Sequence, residues 1–93
     1  MFAIAFDLDC AVTRATHPKS LTQAYSDIAA TLSPFGFRWK QGSLYLAEDE
    51  SLANLADAMQ ALKAMKWFPA SVRDIRAFRV ENWSDFTASI KKR

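Results

Sequence analysis

Two carboxylates close an apolar run at the start of the chain, Phe2-Ala3-Ile4-Ala5-Phe6-Asp7-Leu8-Asp9. The run reads as a buried strand. Alternate side chains of a strand share a face, so Asp7 and Asp9 would point the same way if the strand reached that far. A carboxylate at the end of a buried strand is costly unless its charge is needed. The need could be a metal, a general base or a structural hydrogen bond. Asp7 directly follows the uncharged run and is the stronger candidate for chemistry. Asp9 falls where the chain turns, and an aspartate there suits backbone amides, so its role is capping or support.

The other reactive side chains are sparse. His17 is the sole histidine; set beside Pro18 in a connector, it reads as a surface or helix-entry residue. Cys10 is the sole cysteine and has no basic neighbour in the sequence to activate it. There is no glycine-rich phosphate loop. Arg73, Arg76 and Arg79 follow one another at spacing three, and guanidinium groups suit phosphates. On a strand that spacing divides them between two faces, and Asp74 or Glu81 could neutralise one of them. Trp39, Trp67, Phe68 and Trp83 could stack on bases or fill core and interface.

The elements that must position these residues follow a simple order. Residues 2–8 form the first strand and 10–19 a connector. Ser20-Leu21-Thr22-Gln23 is a capping-box pattern. Leu21, Ala24, Tyr25, Ile28 and Leu32 then mark one helical face, ended by Pro34 and Gly36. Residues 37–41 and 43–47 predict a hairpin around Gln41-Gly42, with Phe37 and Trp39 inward on the first arm and Leu44 and Leu46 on the second. Acids and Ser51 open a second helix whose stripe is Leu52, Leu55, Ala56, Met59 and Leu62, stopped by Pro69. Residues 72–81 predict the last strand, with Phe78 and Val80 in the core. Ser84-Asp85 can cap a short terminal helix. The order β-α-β-β-α-β implies an α+β, ferredoxin-like fold: a four-stranded antiparallel sheet with two helices on one face and a short C-terminal appendage.

Composition agrees with one such domain spanning residues 1–93. Hydrophobic residues make up 51% and there are only 2 Gly and 3 Pro, so a packed globule is expected. No apolar run approaches the roughly 18 residues of a membrane helix, and no basic signal region precedes the strand. A single cysteine suits a reducing compartment, so the expected location is the cytoplasm. Charge is unevenly spread: residues 1–62 carry −3 and residues 63–93 carry +5, which hints at a side facing a polyanion. Exposed sheet edges with aromatic neighbours also invite pairing with a second copy.

An apolar strand ending in Asp-x-Asp resembles the first motif of haloacid-dehalogenase phosphatases, but those require a parallel sheet that this chain is too short to build. Nearly the whole chain instead resembles the VapD (virulence-associated protein D) family. The resemblance rests on Ala3–Asp9, Gly36-Phe37, Gln41-Gly42-Ser43 and Trp67-Phe68-Pro69. Most specific are Ser71-Val72-Arg73-Asp74-Ile75-Arg76-Ala77-Phe78-Arg79-Val80-Glu81 and Trp83-Ser84-Asp85-Phe86-Thr87. It implies a homodimeric ferredoxin-like endoribonuclease acting on RNA as the toxin of a toxin–antitoxin pair, with a protein antitoxin as partner; the alternative is a non-catalytic homodimeric module that binds nucleic acid or protein through the basic C-terminal third. It also implies that Asp7 approaches its symmetry mate across the dimer, where the pair could hold Mg²⁺ or act as a general base. Cys10 departs from the family pattern, in which a hydroxyl residue such as Thr is expected.

Overall fold

A computed structural model describes residues 1–92; Arg93, the last of the basic residues at the C-terminus, lies outside the described residues. The strands are β1 (Phe2–Leu8), β2 (Arg38–Gln41), β3 (Leu44–Ala47) and β4 (Val72–Arg79). The helices are α1 (Cys10–Thr16), α2 (Leu21–Leu32), α3 (Leu52–Ala64), α4 (Phe68–Ser71) and α5 (Thr87–Lys91). The strands form one antiparallel sheet in the order β2-β3-β1-β4. With α2 and α3 packed on it, this is an α+β architecture of the ferredoxin-like type.

Strand parity divides the sheet into two faces. Phe2, Ile4, Phe6 and Leu8 of β1 join Tyr45 and Ala47 of β3 in the core. Against them lie Ala24, Ile28 and Leu32 of α2 and Ala58 and Leu62 of α3. These α2 positions repeat at i, i+4 and i+8, the stripe expected of a helix that buries one side. Ser20 caps α2, its Oγ accepting from the Gln23 amide at 3.0 Å. The Gln23 side chain does not reach back; it donates instead to Asp27 at 2.9 Å. Gly36, at φ 81°, lets the chain leave the turn after α2 in the left-handed region.

Several expectations are corrected. The connector contains a real helix, α1. Its sequence is poor in helix formers, but two hydroxyls satisfy carbonyls a turn back, Thr13 Oγ1 to Asp9 O at 2.7 Å and Thr16 Oγ1 to Val12 O at 2.8 Å. Thr16 also meets Ser71 Oγ of α4 at 3.0 Å, so tertiary packing overrides propensity. Pro69 does not end α3, which stops at Ala64; it sits in the first turn of α4, where a missing N–H costs nothing. The stripe of α3 is rotated: Leu52 is 72% exposed and Ala58 is buried in its place. Only Ser51 of the predicted cap acts as one, accepting from the Asn54 amide at 3.1 Å. Phe78 is half-exposed because it pairs with Ala3, on the face away from the helices, and Val80 lies beyond the end of β4, half-buried. Leu44 and Leu46 share the Phe78 face; the side of β3 that meets the helices is Tyr45 and Ala47, because the register puts them opposite Ile4 and Phe2. Trp39 is 60% exposed because β2 is an edge strand.

Candidate active site

Asp7 belongs to the face of the sheet that α2 and α3 leave open. It stands directly opposite Asp74 of β4, with Ala5 opposite Arg76 and Ala3 opposite Phe78. Directly opposed residues share a face, with Cβ atoms about 4.5–5.5 Å apart. Leu44 and Leu46 of β3 continue the same face, and Arg38 extends it onto β2. The Asp7 side chain is exposed, and no ion pair among the described residues involves it. Asp74 accepts a hydrogen bond from Arg76 Nε at 2.9 Å. Two like charges placed opposite one another work against the sheet, and the single guanidinium of Arg76 offsets only part of that cost.

Asp9 does not share this face. The strand ends at Leu8, and Asp9 is the N-cap of α1, its Oδ1 accepting from the Val12 amide at 3.0 Å. Its Oδ2 accepts from Arg73 at 3.2 Å. These bonds hold its carboxyl below the usual value, the Val12 amide contributing most and Arg73 next. Arg73 reaches Asp9 because of a bulge: Asp7 pairs with Asp74 while Leu8 pairs with Val72, leaving Arg73 as the extra residue. A bulge re-aims the side chain it carries. Arg79 sits at the other end of β4, over the Phe2 ring and 3.4 Å from Glu50 Oε2. Glu50 is lowered mainly by its bond from the Met1 amino group and further by Arg79. Each of the three arginines thus has a carboxylate partner, and of the three Arg76 alone shares the face of Asp7.

His17 is buried rather than superficial, 6% exposed and edge-on to Trp67 at a centroid distance of 5.0 Å. The Lys19 amide donates to Nδ1 at 3.0 Å, so the ring carries its hydrogen on Nε2, which donates to Asp27 at 2.7 Å. This bond is the main reason the Asp27 carboxyl lies below its ordinary value, Gln23 being second. Trp67 and Phe68 are core, whereas Trp39 and Trp83 face outward. Cys10 is exposed at the start of α1.

The face around Asp7 offers one free carboxylate, a second carboxylate opposite it and one arginine beside both. Among the described residues no three His, Cys, Asp or Glu side chains converge as a metal cluster. Magnesium keeps several of its waters and is held through one or two carboxylates, so an aspartate pair fits it. Sequence reasoning ranked Asp74 only as a neutralising acid; its place opposite Asp7 follows from a strand register that no local pattern encodes.

No family model matches the chain. Curated relatives span nearly all of it. Endoribonuclease VapD homolog from Neisseria gonorrhoeae is 58% identical over 91 residues, covering 98% of this chain and 99% of the relative. Endoribonuclease VapD from Haemophilus influenzae is 56% identical over 91 residues, with coverage of 98% and 99%. Endoribonuclease VapD from Helicobacter pylori is 41% identical over 93 residues, with coverage of 98% and 99%.

Proposed function

The chain belongs to the VapD family, and on that footing we propose that it is an endoribonuclease whose reactive carboxylate is Asp7. The names of its relatives supply the reaction class. The observation that carries Asp7 is its unpaired carboxylate on an open sheet face, opposite Asp74. Such a pair of like charges gains by sharing a cation.

The active species is a homodimer. β2 and β4 are the outer strands of the sheet, and an outer strand is where a second copy can pair. Residues beyond β4 carry exposed Trp83, Phe86 and Ile90, apolar surface that a second copy would cover. The Cα radius of gyration, 14.4 Å, exceeds the roughly 12 Å of a compact chain of this length, in keeping with an outlying segment. A two-fold axis at the open face would bring the two Asp7 side chains together.

Within that site, Arg76 meets the RNA phosphate beside Asp7, and Arg73, held by Asp9, contacts the neighbouring backbone. Asp7 from the two protomers would hold Mg²⁺, which would activate water and neutralise the scissile phosphate. If cleavage persists without metal, Asp7 acts as general base on the ribose 2′-hydroxyl. The protein works in the cytoplasm as the toxin of a toxin–antitoxin pair, its antitoxin a protein. No described helix is long and apolar enough to cross a membrane.

The test is incubation of wild-type and Asp7→Asn protein with a defined RNA, each with Mg²⁺ and with EDTA. Wild type should cleave and the variant should not, with EDTA stopping the reaction. Equal cleavage by both proteins rejects Asp7. A monomer in sedimentation at micromolar concentration rejects the shared site.

A further inference from the structure

A second aromatic site lies on the other side of the sheet, between α2 and the β2–β3 hairpin. The depression there is about 610 Å³, lined by Thr22, Tyr25, Ser26, Ala29, Trp39 and Tyr45 together with the hairpin turn. Two features set it apart from ordinary surface. Trp39 is 60% exposed yet fixed, its indole N–H donating to Gly42 O at 2.8 Å. An outward tryptophan locked by its own hairpin presents a ring face without the entropy cost of ordering it on binding. Tyr45 is only 3% exposed, and no hydrogen bond to its hydroxyl occurs among the described residues. Among the described residues no side-chain polar atom is both fully buried and unpartnered, so the Tyr45 hydroxyl keeps some exposure, and Tyr45 lines this depression. Burial, and secondarily the nearby Tyr25, raise its pKa, so it stays a hydrogen-bond donor at neutral pH.

We propose that this groove is a nucleobase subsite, in which a base of single-stranded RNA stacks on Trp39 and presents its edge to the Tyr45 hydroxyl. The proposal rests on the endoribonuclease reading and adds a second point of contact to it. Stacking on aromatic rings with edge hydrogen bonding is how proteins read unpaired bases. Charge favours RNA as the occupant, since Arg38 and Lys40, on either side of Trp39 along β2, line the opposite face beside Leu46 and would meet any strand that rounds this edge. Position does so as well. The turn beside Trp39 adjoins the Asp7 end of β1, where the Phe6 amide donates to Ser43 O at 3.2 Å. β2 and β1 are separated by β3 alone, roughly 10 Å at the usual strand spacing. A strand of RNA rounding the hairpin turn would run from the groove, past these cations, to the face that carries Asp7.

The experiment uses 5′-fluorescein RNA homopolymers of roughly ten nucleotides and anisotropy, with every variant made in the Asp7→Asn background so that no RNA is cut. Trp39→Ala should weaken binding about five- to a hundred-and-fifty-fold, and Trp39→Phe should restore most of it. Tyr45→Phe should weaken the best-bound homopolymer roughly two- to tenfold and flatten the ranking among homopolymers. Melting curves for each variant report folding independently. If wild-type protein cleaves RNA while a folded Trp39→Ala binds as tightly as its parent, the subsite is wrong, the endoribonuclease reading stands, and the groove belongs to a protein partner. If no form binds or cleaves RNA, both readings fall.

Discussion

Replacing Asp7 by asparagine should abolish cleavage and at the same time stabilise the fold. The two carboxylates, Asp7 and Asp74, are directly opposed on adjacent strands. At about 5 Å in a water-like dielectric, two like charges repel by ~0.8 kcal/mol. The Arg76 guanidinium, 2.9 Å from Asp74, offsets a share of this, leaving about 0.5 kcal/mol of net strain. Both side chains are exposed, so no larger figure is warranted. For a domain of this size 1 kcal/mol moves Tm by roughly 4–8 °C, so Asp7→Asn should melt about 2–4 °C higher at low salt. The gain should shrink in 1 M salt, where the screening length falls to about 3 Å. It should grow when Arg76→Ala removes the compensating cation from the parent as well. Activity should fall by about 10²–10⁴-fold, the usual worth of a proton-transferring group. Differential scanning calorimetry at two salt concentrations, beside a cleavage assay, measures both signs. A variant that melts lower than wild type at low salt would show that the opposed carboxylates are not in tension, and the physical case for Asp7 would collapse.

The other predictions concern what holds the site in place. His17→Ala empties a buried position against Trp67, strands the Lys19 amide and leaves Asp27 with Gln23 alone; a loss of about 3 kcal/mol is expected in urea denaturation. Asp9 has a carboxyl lowered from 3.8, so its stabilising charge is fully present above the unfolded value and is lost as pH falls below it. Asp9→Asn keeps the cap but not the charge, and should flatten the acid-side slope of Tm against pH between about 5 and 2. Gly36→Ala meets no atom within 4 Å but must adopt φ 81°; it should cost about 1 kcal/mol, with Gly36→Asn costing less.

The parts of the fold that could be read from the sequence are those whose stability is local. The stripe Ala24, Ile28, Leu32 marks α2 because one helix face repeats it. The apolar run of β1 marks a strand buried between two neighbours. By contrast α1 depends on Asp9 and on Ser71, which lies 55 residues beyond Thr16, and no window around Cys10–Thr16 contains that partner. The site divides in the same way. Asp7 stands out because a charge ends an uncharged run. Asp74 could not be singled out, because its place opposite Asp7 depends on a register that shifts at Arg73. The sequence places Phe78 inward for the same reason: alternation alone gives two faces but not which of them meets the helices. His17 looked superficial because its partners, Asp27 and Trp67, belong to α2 and to the approach to α4.

The two faces of the sheet carry different burdens, and this decides how mutational data on the protein should be read. Most of the core lies on the helical face, where Ile4, Ile28, Leu32, Phe37 and Leu62 are almost completely buried; Ala3 and Leu46 are buried on the other. Asp7, Asp74 and Arg76 lie on the open face, where no core contact depends on them. Loss of function at these three positions without loss of Tm therefore speaks to chemistry. Arg73 and Asp9 are different, because their ion pair ties the bulge of β4 to the N-terminus of α1. A change there moves the end of β1 as well as a cation, and lost activity alone cannot separate the two effects. Arg73→Lys makes the separation: it keeps a charge for phosphate but loses the planar fork that suits a carboxylate. If Arg73 serves RNA directly, Lys should retain much of the binding at low salt. If its task is to anchor Asp9, Lys should behave like Ala and lower Tm together with activity.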